Sequence, residues 1–135
     1  MKTFSDFISQ IAVPVNGFCI LKPEFLNWED DFHSLLTNNG WKIIQENKGT
    51  LSESQARDLY CMHKDKDFYD DLCKYMSSGD CICCSCSKDC KDPVDDMKKI
   101  KDKARNAWGI DDMKNAMHSS DSLENVERES KICLS

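Results

Sequence analysis

The chain has 135 residues, which is enough for one domain with a single hydrophobic core. Its net charge of −6 argues against a general nucleic-acid-binding protein, because such proteins need many lysine and arginine contacts to phosphates. A small phosphorylated ligand is compatible with this charge, since a few local basic residues suffice. The sequence shows neither the ~20-residue apolar run of a membrane helix nor the apolar segment of a signal peptide, so we expect a soluble, cytoplasmic protein.

Apolar periodicity and chain breakers divide the sequence into a short extension and one domain. Residues 1–14 are expected to form an extension of one or two helical turns that ends at Pro14. Residues 15–135 are expected to form the domain. Its predicted elements, in chain order, are a strand at 15–21, a helix at 28–39, a strand beginning at 41–44, helices from 52 and over 67–76, a strand at 80–87, a helix at 92–104, short helices at 111–117 and 122–129, and a closing strand at 132–134.

The predicted helix boundaries rest on capping signals. Residues 50–53 and 52–55 both fit the capping box, in which a hydroxyl residue is followed three positions later by Glu or Gln. Gly40 and Gly79 are typical helix stops, and Pro93 is typical of a first helical turn. The order of strands and helices predicts an α+β domain of the split βαβ type, a four-stranded antiparallel sheet with helices on one side.

Nine cysteines are present, and five of them fall in residues 81–90, "CICCSCSKDC". With no secretory signal we expect reduced thiols. Cys81 and Cys84, like Cys83 and Cys86, have the spacing of a zinc knuckle, and Cys90 offers a further ligand. In a strand, however, Cys81 and Cys83 would face away from Cys84 and Cys86, so four thiolates would not converge on one metal. A small apolar strand and a zinc module are therefore both considered.

One histidine stands out by its neighbours. Residues 115–122, "NAMHSSDS", place His118 directly before a run of hydroxyls and an aspartate. A lone histidine is more often a structural or surface residue than a reactive one, so this segment alone favours a residue preceding a helix cap. Neutral imidazole is nevertheless a good nucleophile near neutral pH. Other segments of the chain must therefore decide whether His118 is a structural residue before a helix cap or a reactive nucleophile.

Three segments, taken in order, resemble the nucleoside diphosphate kinase family. They are "FCILKPE" (18–24), "LYCMHKDKDFYDDLCKYMSSG" (59–79) and "ARNAWGIDDMKNAMHSSDSLENVERES" (104–130). The last contains the family's Asn-x-x-His, Ser-Asp-Ser and a later Glu at matching spacing. The resemblance covers roughly residues 15–134 and implies the ferredoxin-like fold of that family.

The resemblance also implies which residues act. His118 would be the phosphorylated nucleophile, with Glu129 supporting its other ring nitrogen and Ser120 bridging the two. Transfer of a phosphoryl group depends mainly on positioning and charge neutralisation. The residues implied to contact the nucleotide are Lys22, Tyr60 and Arg105 at the phosphates, Asn115 at the ribose, and Phe68 with Leu72 at the base. Taken alone, Lys22 would be an ordinary surface lysine and the pair Phe68 and Leu72 an ordinary core stripe.

The chain departs from the family pattern at several positions. The family's long loop after the third strand, with its arginine and threonine, is shortened before Arg105. Lys98 is predicted to stand near the missing arginine, although a lysine is a point charge and does not replace a bidentate guanidinium. Ser119 replaces a glycine next to His118, and Asp112 replaces an apolar residue at the base.

The function implied by the resemblance is phosphotransfer from an NTP to an NDP or dNDP by a ping-pong mechanism. Mg²⁺ would bridge the phosphates and take few or no protein ligands. The alternative is a catalytically weak or inactive nucleotide-binding relative that kept the fold, and a cysteine-rich metal module is a third reading. The expected partners are nucleotides and a second copy of the chain, in a homodimer that can build higher oligomers, with no specific nucleic acid and no membrane.

Overall fold

The computed structural model describes residues 14–134 of the chain. Apart from Pro14, the predicted N-terminal extension lies outside the described residues. The four strands are β1 (Gly17–Leu21), β2 (Lys42–Thr50), β3 (Asp80–Ser87) and β4 (Met117–Ser119). The five α-helices are α1 (Glu29–Asn38), α2 (Glu53–Leu59), α3 (Tyr69–Met76), α4 (Pro93–Trp108) and α5 (Leu123–Leu134).

The strands form one sheet in the order β2-β3-β1-β4, and all neighbouring strands are antiparallel. The short strand β4 pairs with β1, which sets Ile20 opposite His118 and Leu21 opposite Met117. The pairing continues past β1, where the backbone N–H of Lys22 donates to the carbonyl of Ala116 at 2.8 Å. This α+β ferredoxin-like fold brings the end of the first strand beside the histidine segment.

Helices cover both faces of the sheet, so the prediction that they lie on one side is wrong. Phe18 and Ile20 of β1 belong to a core that includes residues of α2, α3 and α5. Cys19 and Leu21 belong to a second core with residues of α1 and α4. The physical reason is visible in β1, whose five residues are all buried, since a continuous apolar run is typical of a strand covered on both faces.

The cysteine-rich strand follows the same alternation. Cys81 and Cys83 lie in the first core, whereas Cys84 and Cys86 lie in the second. The prediction that the two pairs face opposite ways is confirmed. In both cores a thiol occupies the place of a small apolar side chain.

Two predictions for the C-terminal segment are wrong. The segment expected to be a short helix at 111–117 is a series of bends that ends in β4. Asp111 starts these bends, because its carboxylate accepts the backbone N–H groups of Met113 and Lys114. Ala116 has a φ of 79°, a left-handed conformation that a helix does not allow.

The closing strand expected at 132–134 is instead the last turn of α5. The buried residues of α5 are Val126, Glu129 and Cys133, which recur at the spacing of one helical face. That face packs on the first core. The apolar residues at the end of the chain therefore belong to a helical stripe, and the closing strand of the sheet is β4.

The capping box that was predicted from the sequence is present. The Ser52 hydroxyl accepts the backbone N–H of Gln55, and the Gln55 side chain accepts the backbone N–H of Ser52. Helix α4 runs four residues further than expected and includes Arg105. Its end is held by Trp108, which stacks on Trp28 with ring centroids 5.3 Å apart. Among residues 14–134, no helix combines the length and the apolar character that crossing a membrane requires.

Candidate active site

A cavity of about 560 Å³ opens beside β4, between the segment after α2, the C-terminal half of α4 and the helix α5. His118 lines it from the middle of β4. Eight of the ten site residues predicted from the sequence line this cavity: Lys22, Tyr60, Phe68, Leu72, Arg105, Asn115, His118 and Glu129. The fold therefore brings together residues that are up to 107 positions apart in the sequence.

His118 is held through one ring nitrogen. Its Nε2 atom is in hydrogen-bond contact with a carboxylate oxygen of Glu129 on α5. Glu129 is only 1% exposed, so its carboxylate is placed there by the packing of the helix. The other ring nitrogen, Nδ1, lies 3.5 Å from the hydroxyl of Tyr60. Because Glu129 fixes the proton on Nε2, the lone pair of a neutral imidazole is on Nδ1.

The surroundings keep His118 neutral. Burial lowers the pKa of His118 below its ordinary value of 6.5, and the hydrogen bond and charge of Glu129 oppose that shift only in part. The positive charges of Lys22 and Lys101 lower the pKa further. The result is an unprotonated imidazole at neutral pH, which is the nucleophilic form.

Tyr60 keeps its proton. Burial, together with the negative charge of Glu129, raises the pKa of Tyr60 well above its ordinary value. The phenol therefore remains a hydrogen-bond donor over the whole physiological range. Its ring lies edge-on to the imidazole of His118, with centroids 5.4 Å apart.

Ser120 does not bridge His118 and Glu129, because those two side chains contact each other directly. The Ser120 hydroxyl is buried and has no hydrogen-bond partner among the described residues. Its backbone N–H donates to the carbonyl of Phe18 at 3.1 Å. Ser119, the residue that replaces glycine, is buried opposite Cys19 of β1 and lines the cavity.

Positive charge is concentrated at one end of the cavity. Lys22 follows β1 directly and is 3% exposed, while Lys101 and Arg105 are half-buried and lie one helical turn apart on α4. Arg105 is tied to β4 by its Nε–H, which donates to the carbonyl of Met117 at 3.0 Å. Burial, together with the nearby charges of Arg105 and Lys101, lowers the pKa of Lys22 to about 7. Such a cluster is arranged to receive an anion.

The cavity also contains an unpaired amide oxygen. The Asn115 side chain donates its amide N–H to the carbonyl of Asp112 at 2.8 Å. Its buried Oδ1 atom has no hydrogen-bond partner among residues 14–134. A buried polar atom without a partner is uncommon, and here it lines a cavity where a ligand could satisfy it.

The other end of the cavity is apolar and aromatic. Phe68 is 44% exposed and lies next to His63, with ring centroids 5.4 Å apart. His63 in turn stacks on Tyr60 at 6.3 Å. Leu72 lies one helical turn beyond Phe68 and is buried. An exposed ring at the mouth of a cavity suits stacking on a flat ligand.

Comparison with known proteins identifies the family to which this site belongs. The family model described as nucleoside diphosphate kinase matches residues 16–135. The nucleoside diphosphate kinase of Wolbachia pipientis is 32% identical over 82% of this chain and 86% of its own length. The chain belongs to the nucleoside diphosphate kinase family.

Two further relatives show the range of the family. Human nucleoside diphosphate kinase homolog 5 is 27% identical, and the match covers 82% of this chain but 57% of the human protein. The crystal structure of the Aquifex aeolicus nucleoside diphosphate kinase superposes with a TM-score of 0.79 at 22% identity. That match covers 88% of this chain and 94% of the other, and it confirms the fold.

Lys98, predicted as a substitute phosphate contact near the missing family arginine, is not among the residues of the cavity. It is exposed on α4 and does not line the cavity. Lys101 lines the cavity instead. Both lysines share a helical face with Arg105, but Lys101 is one turn from it and Lys98 is two.

Proposed function

We propose that the protein is a nucleoside diphosphate kinase, which moves the γ-phosphoryl group of an NTP to an NDP or dNDP through phosphorylated His118. The observation that carries the proposal is the buried contact of Glu129 with Nε2, which leaves Nδ1 of a neutral His118 beside the cavity. Family membership supports the same reaction class. The reaction would be ping-pong, because a covalent intermediate on the protein separates the two half-reactions.

In the first half-reaction, the Nδ1 lone pair attacks the γ-phosphorus. The N–P bond forms, the bond between phosphorus and the β,γ-bridging oxygen breaks, and the NDP leaves with the electron pair of that bond. Glu129 stabilises the positive charge that develops on the ring, since its carboxylate accepts the Nε2–H hydrogen bond. In the second half-reaction a terminal oxygen of another NDP attacks the same phosphorus, and the N–P bond breaks.

The nucleotide would lie along the cavity with its phosphates at the cationic end. Lys22 and Arg105 would neutralise phosphate charge, and Tyr60 would donate a hydrogen bond near the reacting nitrogen. The free Oδ1 of Asn115 would accept a hydrogen bond from a sugar hydroxyl. Phe68 would stack on the base with Leu72 beneath it. Ser120 would support the backbone next to His118.

The proposed cofactor is Mg²⁺ held by the phosphates. The phosphate end of the cavity is lined by cationic side chains and by the exposed carboxylate of Asp121, and its buried carboxylate, Glu129, is already engaged by His118. This donor set suits an ion that takes its ligands from phosphate oxygens and water. Bound in that way, Mg²⁺ would neutralise part of the charge that develops on the transferred group.

Phosphorylation of His118 is the direct test. Incubation with ATP labelled in the γ-position should leave an acid-labile, base-stable label on the protein. His118→Ala should abolish the label, while His33→Ala should keep it, because His33 lies outside the cavity and contacts Glu46. If the folded protein binds nucleotide but takes no label, the kinase proposal is wrong and the protein is an inactive nucleotide-binding relative.

We also propose that two copies pair through the outer edge of β2. This nine-residue strand pairs with β3 on one side only, and most of it is exposed. Ile44, its third residue, lies at a bulge in the pairing with β3 and is 49% exposed. An open strand edge of this length is a ready surface for a second strand.

A further inference from the structure

We propose that Lys101 binds the phosphoryl group that is transferred to and from His118. The proposal rests on the proposed function and adds to it a residue that neither the family pattern nor the sequence pointed to. Three observations support it, namely the position of Lys101 on α4, the lack of a carboxylate partner, and the cavity that it shares with the imidazole.

The position of Lys101 is fixed by a regular helix. It lies in the middle of the 16-residue helix α4, one turn before Arg105, and both side chains line the cavity that contains His118. The two core residues Ile100 and Ala104, which precede them in sequence by one position each, hold this part of the helix against the sheet. Lys101 is therefore presented to the cavity by a packed element.

The second observation is that the positive charges in the cavity are not neutralised. Within residues 14–134, neither Lys22, Lys101 nor Arg105 has a carboxylate within ion-pair distance. Lys99, on another face of the same helix, does pair with Asp95 at 3.4 Å. In a chain with a net charge of −6, three basic side chains that line one cavity without an ion-pair partner form a site for a polyanion.

Two electrostatic effects indicate which end of a triphosphate Lys101 would meet. Its positive charge lowers the pKa of His118, and both side chains line the same cavity. The pKa of Lys101 itself is lowered by burial and by Arg105, while Asp102 and Asp121 oppose the shift. A cation that lines the cavity together with Arg105 and His118 is suited to hold the terminal phosphoryl group.

Lysine suits this task for a chemical reason. The transferred phosphoryl group moves from the nucleotide to Nδ1 and back. A side chain that binds it throughout must reach it in both positions. A lysine ammonium is a compact charge with three donors on a flexible stem, whereas an arginine fork favours one bidentate geometry. We therefore expect Lys101 to contact the phosphoryl group in the nucleotide complex and in the phosphohistidine.

The binding experiment compares Lys101→Met with Lys98→Met. The control lysine lies one turn earlier on the same helix, is exposed and does not line the cavity. Calorimetry should show that Lys101→Met weakens binding of the β,γ-imido analogue of ATP about tenfold, the loss expected for one charge-assisted hydrogen bond. Binding of ADP should weaken less and that of adenosine should not change. Lys98→Met should match the wild type for all three.

Two outcomes would overturn the proposal. One is an affinity of Lys101→Met for the ATP analogue equal to that of Lys98→Met. The other is an equal loss for the ATP analogue, ADP and adenosine, because that pattern indicates a distorted cavity and not a contact with the terminal phosphoryl group. Lys101→Gln, which keeps a polar side chain of similar length, provides a second variant if Lys101→Met does not fold.

A kinetic experiment separates this proposal from the proposed function. The rate at which His118 is labelled by ATP should fall about tenfold in Lys101→Met and recover most of its value in Lys101→Arg, which restores the charge. If the wild type takes no label, the proposed function fails, yet the calorimetric comparison still tests Lys101. If the wild type is labelled and Lys101→Met is labelled at the same rate, the proposal for Lys101 fails alone.

Discussion

Glu129 contacts the imidazole of His118 from a position where its carboxylate is 1% exposed to solvent. The contact joins α5 to β4 across eleven residues of sequence and decides which ring nitrogen is free. A buried carboxylate is costly unless it is hydrogen-bonded, so His118 and Glu129 stabilise each other's placement. Arg128 forms a longer ion pair with Glu129, with its guanidinium 4.0 Å from the second carboxylate oxygen.

Replacing Glu129 by Gln should slow phosphorylation of His118. The amide keeps the shape of the side chain but removes the charge that stabilises the developing imidazolium. We expect the labelling rate to fall roughly 10- to 100-fold, the loss of one charge-assisted hydrogen bond. Because Glu129 raises the pKa of His118, that pKa should also fall in the variant, which NMR titration of the imidazole measures. Glu127→Gln, an exposed carboxylate on the same helix, should change neither quantity.

Nucleotide binding should depend on pH through Lys22. In the free protein the pKa of Lys22 is about 7, against an ordinary value of 10.5, so above pH 7 this lysine is mostly neutral. A bound triphosphate favours the charged form and raises the pKa again. Binding between pH 7 and 10.5 should therefore take up protons, and affinity should decrease as the pH rises through this range. Calorimetry in two buffers of different ionisation enthalpy measures the uptake.

The matched variant for this prediction is Lys22→Met, in which the uptake should decrease. The pKa of Lys101 is also lowered, so part of the uptake should remain. Binding without any proton uptake in the wild type above pH 7 would show that Lys22 is already charged in the free protein.

Much of the fold could be predicted because local patterns and tertiary packing agree there. The strand at 80–87 was expected from its small alternating residues and is present as Asp80–Ser87. The capping box at Ser52 depends on four consecutive residues and is also present. The closing strand was misplaced because Met117–Ser119 has only three residues, and its strand geometry comes from pairing with β1.

The composition of the candidate site was predictable only in part. Lys22, Tyr60, Arg105 and His118 were found through the family's motif spacing, and they line one cavity. Lys101 was not predicted from the sequence, and Lys98, which was predicted as a substitute phosphate contact, does not line the cavity. Helical phase alone does not separate the two lysines, because both share a helical face with Arg105. Lys101 lies one turn from Arg105 and lines the cavity, whereas Lys98 lies two turns away and does not.

The capping box of α2 should contribute measurably to stability. Ser52→Ala removes the hydroxyl that accepts the N–H of Gln55, and should lower the free energy of unfolding by about 1 kcal/mol. Ser54→Ala is the matched control, because this exposed serine lies inside the same helix, where alanine is favoured. Urea unfolding of the two variants measures the difference. Equal unfolding midpoints would show that the cap contributes nothing.

Assembly of the protein should depend on the outer edge of β2. If two copies pair along this strand, Ile44 passes from 49% exposed into an apolar contact, and Ile44→Glu would bury a charge there. We expect the wild type to sediment as a dimer or a larger assembly and Ile44→Glu to sediment as a monomer. Ile110→Glu is the control, because Ile110 is also exposed but lies in the segment after α4, away from β2. A wild type that is monomeric at micromolar concentration, or an Ile44→Glu variant that remains a dimer, would place the contact elsewhere or exclude it.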